Sequence, residues 1–393
     1  MDPIDIQTAP AGTRPEQTAQ PLTFRQRMLA FFNGIVILID RHIHRWQCPY
    51  CFSYITRPGS RERGGDGSRV SVDGASVPLP GARTYICRNC NNALPPDFFA
   101  NHSTSIAVVG GTEAGKSSFI TMFCELLLHR RSTLGELGIF GSIINPEGLE
   151  KFEAHRQMLI QQERALHGTL EMEAPIVVCL HSKHHRMVTY ITLLDSPGEH
   201  FSKLKELHTH HPNLRNASGI VFLMNPLDIP ELLRLIRKEK PGIFPPGQDV
   251  NVRNYDIIET LYRFYVETGT VKPNRRIGTP AAFCLSRADV LEDIANLYLP
   301  PDFEPDVPDP DIILEEMALV TEDLLELIEE TDPNLLNIMK KRFRTMSLFP
   351  VSPLGKMPVG DAIGQRIEGG VNPKGLLQPI IWILKEIKFI RQS

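Results

Sequence analysis

The chain has 393 residues, of which 42% are hydrophobic and 22% charged, a balance that supports a folded core and excludes a disordered or fibrous protein. At ~100–200 residues per domain, that length implies two domains or one large domain with a small one attached. The net charge is only −4, so no global basic signature points to nucleic acid. The charge is unevenly spread, however. Residues 24–91 hold ten Arg, no Lys and four acids, a local +6 that leaves −10 for the rest. A basic N-terminal module is joined to an acidic main body.

No apolar run approaches the ~18–20 residues of a membrane-spanning helix; residues 28–39 come nearest and include Asn33 and Gly34. The N-terminus lacks the apolar stretch of a secretory signal. Four of the seven cysteines fall in two CxxC pairs, which suits a metal site in a reducing compartment better than a disulfide framework. The cytoplasm is the expected location.

In chain order, residues 1–22 are rich in Pro, Ala, Thr and Gln and read as a disordered tail. Residues 24–46 read as a helix, and 59–80, rich in Gly, Ser and Arg, as an exposed loop or loose hairpin. With the cysteine pairs they make a module over 23–100. Beyond it, apolar strand-like runs at 105–109, 175–180, 188–194, 219–224, 281–285 and 348–351 alternate with helical stretches at 117–129, 231–238, 254–266 and 312–328. That alternation predicts an α/β fold of three layers with a mostly parallel sheet over 101–393. Residues 303–311 read as an acidic, Pro-rich loop, and 376–390 as a closing helix despite Pro379.

Residues 110–117, Gly110-Gly111-Thr112-Glu113-Ala114-Gly115-Lys116-Ser117, match GxxxxGK[ST] in full. The glycines let backbone N–H groups turn inward around a phosphate, and the following helix, through Ser118 onward, adds its positive end. Lys116 supplies a point charge for the β- and γ-phosphates, and the Ser117 hydroxyl a ligand for Mg²⁺. The apolar strand before the loop and the apolar helix after it are the context a P-loop requires. After the strand at 188–194 comes Asp195-Ser-Pro-Gly198, a DxxG that offers a second magnesium handle (Asp195) and an N–H for the γ-phosphate (Gly198).

The order of these motifs resembles the P-loop GTPases of the translation-factor and Ras-like class, over roughly residues 104–356. The resemblance implies that Thr169, six residues before the 175–180 strand, is the switch threonine that binds Mg²⁺; an ordinary loop threonine is the alternative. It identifies Ser286-Arg287-Ala288-Asp289 as an altered guanine-reading motif. Asp289 would accept from guanine N1–H and N2–H, which adenine lacks. Ser replaces the usual Asn, and Arg the usual Lys, although Arg also stacks on a base. Ser352-Pro353-Leu354 resembles the final motif; Pro353 has no N–H, so Ser352 or Leu354 must supply any bond to the base. GTP is therefore preferred over ATP, with GDP as product and an ATP-using P-loop enzyme as the alternative. Relatives place Gln or His after DxxG to orient water; here Glu199 and His200 follow, either as catalytic residues beside Lys116 or as solvated loop residues. Slow hydrolysis is the expectation, and a non-hydrolysing, nucleotide-bound scaffold the alternative. The His-rich stretch 181–185 and the group His208, His210 and His211 read as surface residues.

Cys48-Pro-Tyr-Cys51 and Cys87-Arg-Asn-Cys90 complete a four-thiolate shell for a structural Zn²⁺, with a redox dithiol as the alternative. Cys124, Cys179 and Cys284 fall in apolar runs and read as buried hydrophobes; His42 and His44 are reserve ligands. A zinc ribbon followed by a GTPase with LLDSPGE resembles the bacterial double-GTPase families. That resemblance implies a nucleotide-dependent switch whose ribbon docks a protein partner or second GTPase. Nucleic acid is the less favoured ligand of the ribbon, because few aromatic residues accompany its arginines. The stretches 226–275 and 290–345 read as insertions without a recognisable motif.

Overall fold

The computed structural model describes residues 46–55, 61–63, 84–95, 98–100, 103–128, 133–166, 174–182, 188–195, 197–241, 254–300, 302, 310–360 and 365–389. The expected tail, residues 24–45 of the expected helix, most of the 59–80 loop, Thr169, His42, His44, His184, His185 and nearly all of the 303–311 loop lie outside these residues; Trp46, expected to end that helix, instead begins a strand.

Two short hairpins open the described structure: β1 (Trp46–Gln47) with β2 (Tyr54–Ile55), and β3 (Arg61–Arg63) with β4 (Thr84–Ile86), both antiparallel. The larger body follows as β5 (Ile106–Gly110), α1 (Lys116–Leu128), α2 (Thr133–Glu136), β6 (Ile139–Ile143), α3 (Pro146–Arg156), β7 (Ile176–Ser182) and β8 (Val188–Leu193). It continues through α4 (Leu204–His210), β9 (Gly219–Met224), α5 (Pro230–Glu239), α6 (Asn254–Glu267), β10 (Ala281–Leu285), α7 (Pro310–Thr331), α8 (Pro333–Arg342), β11 (Met346–Pro350) and α9 (Leu377–Glu386).

The central sheet has the order β11-β10-β9-β5, every pair parallel. β5, β9 and β10 are buried along their whole length, which explains why their sequences are unbroken apolar runs rather than alternating ones. Alternate residues serve opposite faces. Val109, Phe222, Phe283 and Leu348 enter the core beneath the helices Asn254–Glu267 and Pro333–Arg342. Val108, Val221, Cys284 and Phe349 enter the core beneath Lys116–Leu128 and Leu377–Glu386. The result is the three-layer α/β arrangement expected of the sequence. It has one addition: β6, which the apolar pattern does not reveal, joins β7 and β8 in an antiparallel sheet that packs alongside β5. Its sequence, IFGSI, holds a glycine whose missing side chain makes room for Leu127.

Pro379 is tolerated because it is the third residue of α9, where an N–H has no partner within the helix in any case. The carboxylate of Asp302, fully enclosed, accepts from the N–H groups of Leu376 (2.8 Å) and Leu377 (3.1 Å) and so caps that helix from a distance. Burial pushes its acid up to about 7.

Phe283 sits at the centre of the sheet, its ring centroid 5.2 Å from both Phe222 and Phe343. Phe283→Ala is expected to cost about 3–5 kcal/mol, measured as a lower denaturation midpoint with an unchanged denaturant slope.

Candidate nucleotide-binding site

The loop between β5 and α1 wraps around the amine of Lys116. Its Nζ donates to the carbonyl oxygens of Gly110 (3.0 Å) and Gly111 (2.7 Å) and lies 5.9 Å from the centroid of the Phe201 ring. Only 6% of the residue is exposed. Burial lowers its pKa to about 8, against the upward pull of Asp195. Gly115 has φ +77° and Glu113 φ +58°, the left-handed turns that point successive backbone N–H groups into one concavity. Thr112 and Glu113 are exposed at its rim, Ala114 is buried beneath it, and Ser117 and Ser118 are half-buried in the first turn of α1.

Gly198 is packed onto this loop. A Cβ there would fall on the backbone of Gly111 and Thr112, so any side chain would lift the segment after β8 off the loop. Asp195 is buried to 1% exposure, and neither of its carboxylate oxygens has a hydrogen-bond partner among the described residues. The ammonium of Lys151, from α3, stands 3.5 Å away. Such an enclosed acid with vacant lone pairs fits a divalent-cation handle. Lys151 carries no signal in the sequence; it sits in a helix that the periodicity does not mark. Glu199 is exposed, whereas His200 is half-buried with its ring stacked on His210, centroids 4.7 Å apart. Burial lowers the pKa of His200, with His210 adding to the effect.

The segments after β10 and β11 meet in one polar cluster. Ser286 is buried, with its N–H and hydroxyl both donating to Met224 O (2.8 and 2.9 Å). The Ser352 hydroxyl donates to Asp289 Oδ1 at 2.5 Å and accepts from Gly355 N at 3.0 Å. Arg287 takes a left-handed φ of +52°. Burial lowers its pKa, opposed by the carboxylates of Glu113, Asp289 and Asp228. Asp228 lies in the stretch expected to carry no recognisable feature, yet burial raises its acid to about 7 beside Arg287. An Asn-Pro pair closing an apolar strand (Met224-Asn225-Pro226) is the only sequence signal it has.

The histidine expectation needs correction. His211 is buried, its pKa pushed down to about 4, first by desolvation, because its ring packs against Phe201 at 5.0 Å. His208 does lie outside, on Glu267 (3.0 Å). Cys124, Cys179 and Cys284 are buried as expected.

The remaining four cysteines converge. In each knuckle the residue after the second Cys turns left-handed (Phe52, φ +54°; Asn91, φ +58°) and donates its N–H back to the first Cys (2.9 and 2.8 Å). This repeated turn brings the four sulfurs within 4.8 Å of one another, with Cys48–Cys90 and Cys51–Cys87 at 3.7 Å. Sulfurs at the corners of a Zn–S tetrahedron with ~2.3 Å bonds would be ~3.8 Å apart, so the set fits Zn²⁺. Hydrogen bonding from Cys48 favours the thiolates of Cys51 and Cys87. The knuckles are tied to the larger body. Gln47 Nε2 donates to Asn216 O (2.7 Å), the Ser105 hydroxyl to Gln47 Oε1 (2.9 Å), the Thr192 hydroxyl to Pro49 O, and Phe98 stacks on Tyr190.

A phosphate loop on β5, an acid after β8 and a polar cluster beyond β10 and β11 stand in the arrangement that the motifs of a P-loop nucleotide-binding domain imply. Residues 104–241 match the Double-GTPase 2 family. No curated protein matches the chain. Three solved structures show distant likeness. The small GTPase Arl6 (BBS3) of Trypanosoma brucei, with bound GppNp, is 11% identical with a TM-score of 0.30, over 74% of this chain and 99% of that one. The GTPase-like domain of Ski7 from S. cerevisiae, bound to GTP, is 14% identical with a TM-score of 0.34, over 76% and 53%. Elongation factor SelB of Methanococcus maripaludis, with a GTP analogue, is 11% identical with a TM-score of 0.24, over 64% and 30%. The chain thus spans about half or less of the latter two. Among the described residues no helix is long and apolar enough to cross a membrane.

Burial leaves Lys116 half-neutral near pH 8, whereas a bound phosphate stabilises its ammonium. Above pH 8, nucleotide binding is therefore expected to take up a proton and to weaken as pH rises. Calorimetry in two buffers of different ionisation enthalpy measures that uptake. Cys87→Ser, which removes one of four sulfurs, is expected to lower the thermal midpoint and to release one equivalent of zinc, scored by metal analysis.

Proposed function

We propose that the protein is a Mg²⁺-dependent GTP switch that hydrolyses slowly and whose zinc-bearing ribbon docks a protein partner. The observation that carries this reading is the seating of Gly198 on the Gly111–Thr112 backbone. The segment after β8 occupies the edge of the phosphate loop, so a γ-phosphate entering there must meet it or move it. Lys116 and the loop N–H groups would bind the phosphates. Ser117 and Asp195 would hold Mg²⁺, with Thr169 as the third protein ligand, and Mg²⁺ would neutralise charge on the β- and γ-oxygens. Lys151 neutralises Asp195 from the side.

Asp289, oriented by Ser352, would read the base edge, and Arg287 would pack beside it. Asp289 must be ionised to accept two hydrogen bonds, and burial raises its pKa above the ordinary carboxylate range. His200 is better enclosed than Glu199 to orient a water, while the acid beside it repels the γ-phosphate; hence the slow rate. The ribbon adjoins the moving part. A cavity of about 240 Å³ separates Tyr50 and Phe52 of the first knuckle from Phe201, His211 and Leu214. Rearrangement around Gly198 would therefore be felt at the ribbon, whose basic composition suits an acidic protein partner.

Calorimetry with GTP, GDP and ATP in Mg²⁺ tests the reading. Tight guanine-nucleotide binding is expected, reduced by at least about 100-fold in Asp289→Ala and abolished in Lys116→Ala. Affinity is also expected to fall on acidification, beginning above the pH at which an ordinary Asp protonates. ATP binding that ignores Asp289 would instead place the protein among ATP-using P-loop enzymes. Guanine binding without turnover, with or without added partner, would make it a nucleotide-bound scaffold.

A further inference from the structure

We propose that His200, Glu206 and His210 form a second metal site, for Zn²⁺ or a similar transition metal, on the segment that follows Gly198. The three residues each offer one ligand atom, and these atoms lie within 4.8 Å of one another. Glu206 and His210 are one turn apart on α4, with His210 Nε2 3.2 Å from Glu206 Oε2. That is the separation of two ligands on a tetrahedral metal with ~2.0–2.1 Å bonds. His200 reaches them from the preceding turn, Gly198–Ser202, its ring stacked on that of His210.

A second, independent observation concerns His200 itself. Its Nδ1 is buried and has no hydrogen-bond partner among the described residues, so that one ring nitrogen of the set is not committed elsewhere in the protein. His211, although adjacent, is turned onto Phe201 and is left out of the set. Two imidazoles and one carboxylate make a donor set suited to Zn²⁺, Co²⁺ or Ni²⁺ rather than to Mg²⁺, which demands oxygen ligands. Three protein ligands leave the fourth position open to water. The site differs from the cysteine cluster in chemistry and in exposure. The four sulfurs enclose their metal, whereas His210 stands at the surface, so this metal exchanges with solution.

Occupancy would bridge the turn carrying His200 to α4, adding one ion to the backbone hydrogen bonds and ring stack that already join them. Sequence spacing alone conceals the set, because His200 is six residues from Glu206 and only the chain reversal between them brings the groups together.

The test titrates Co²⁺ into the full-length protein purified with zinc in its ribbon, without nucleotide. One additional equivalent is expected, with weak ligand-field bands and no sulfur-to-cobalt charge transfer. Glu206→Gln and His210→Gln should each weaken that equivalent by more than the ~10–100-fold typical of losing an outer-shell partner. Retained ribbon zinc and unchanged circular dichroism would show that the variants fold. X-ray absorption on the unaltered protein with two zinc equivalents guards against misfolded variants, and should show nitrogen and oxygen scatterers beside the sulfurs. A single metal per chain, an all-sulfur shell, or a second equivalent indifferent to both substitutions would overturn the proposal.

Discussion

Lys116 carries its ammonium into the protein with two backbone carbonyls as its hydrogen-bond partners and an aromatic ring nearby. Burial weakens that charge, a state that an anion placed beside it would reverse. The rest of the site follows from this one constraint. β5 must end where the loop begins, α1 must start at Lys116 to aim its amides inward, and the glycines must allow the chain to close around the amine. Asp195 is the complementary case: an acid buried with its lone pairs unused, facing a lysine in place of a hydrogen bond. A buried positive group and a buried negative group thus share one site.

The base end of the site obeys a different logic. There a hydroxyl engages the carboxylate and the guanidinium lies in the field of nearby acids. Ser352 donates to Asp289, Arg287 lies among three carboxylates, and Ser286 ties β10 to the end of β9. The departures from the usual guanine-reading motif make sense in this setting. Ser286 reproduces a strand-end hydrogen bond with a small side chain, and Arg287, buried, feels the charges of Glu113 and Asp228. Pro353 is harmless to the linkage because the hydroxyl of Ser352, not the N–H of residue 353, makes the contact.

The ribbon is an integral part of the structure. Gln47 bonds to both Phe52 and Asn216, linking a knuckle to the chain just before β9. Phe98 and Tyr190 continue the apolar contact onto the antiparallel sheet. That sheet is therefore covered by the cysteine knuckles on one side. This explains why Cys179 and Tyr190 of β7 and β8 are buried among residues of the first hundred.

The phosphate loop, the six apolar strands and the two cysteine knuckles were legible in the sequence because each depends on residues close together along the chain. A glycine-rich turn between strand and helix, an unbroken apolar run, or a thiolate pair two residues apart acts locally. β6 was not legible, since IFGSI carries neither a continuous apolar run nor clean alternation, and it exists because β7 offers it an edge. Lys151 beside Asp195, Asp228 beside Arg287 and Asp302 capping the last helix were hidden for the same reason. An isolated Lys or Asp reads as surface until folding buries it next to its partner. The sequence by itself determined the chemistry available: a phosphate loop, the acid of a DxxG motif and four thiolates. Tertiary structure alone decided which charges share a dry environment and which histidines meet. Those outcomes rest on burial and on contacts between distant segments, and neither is written in local spacing.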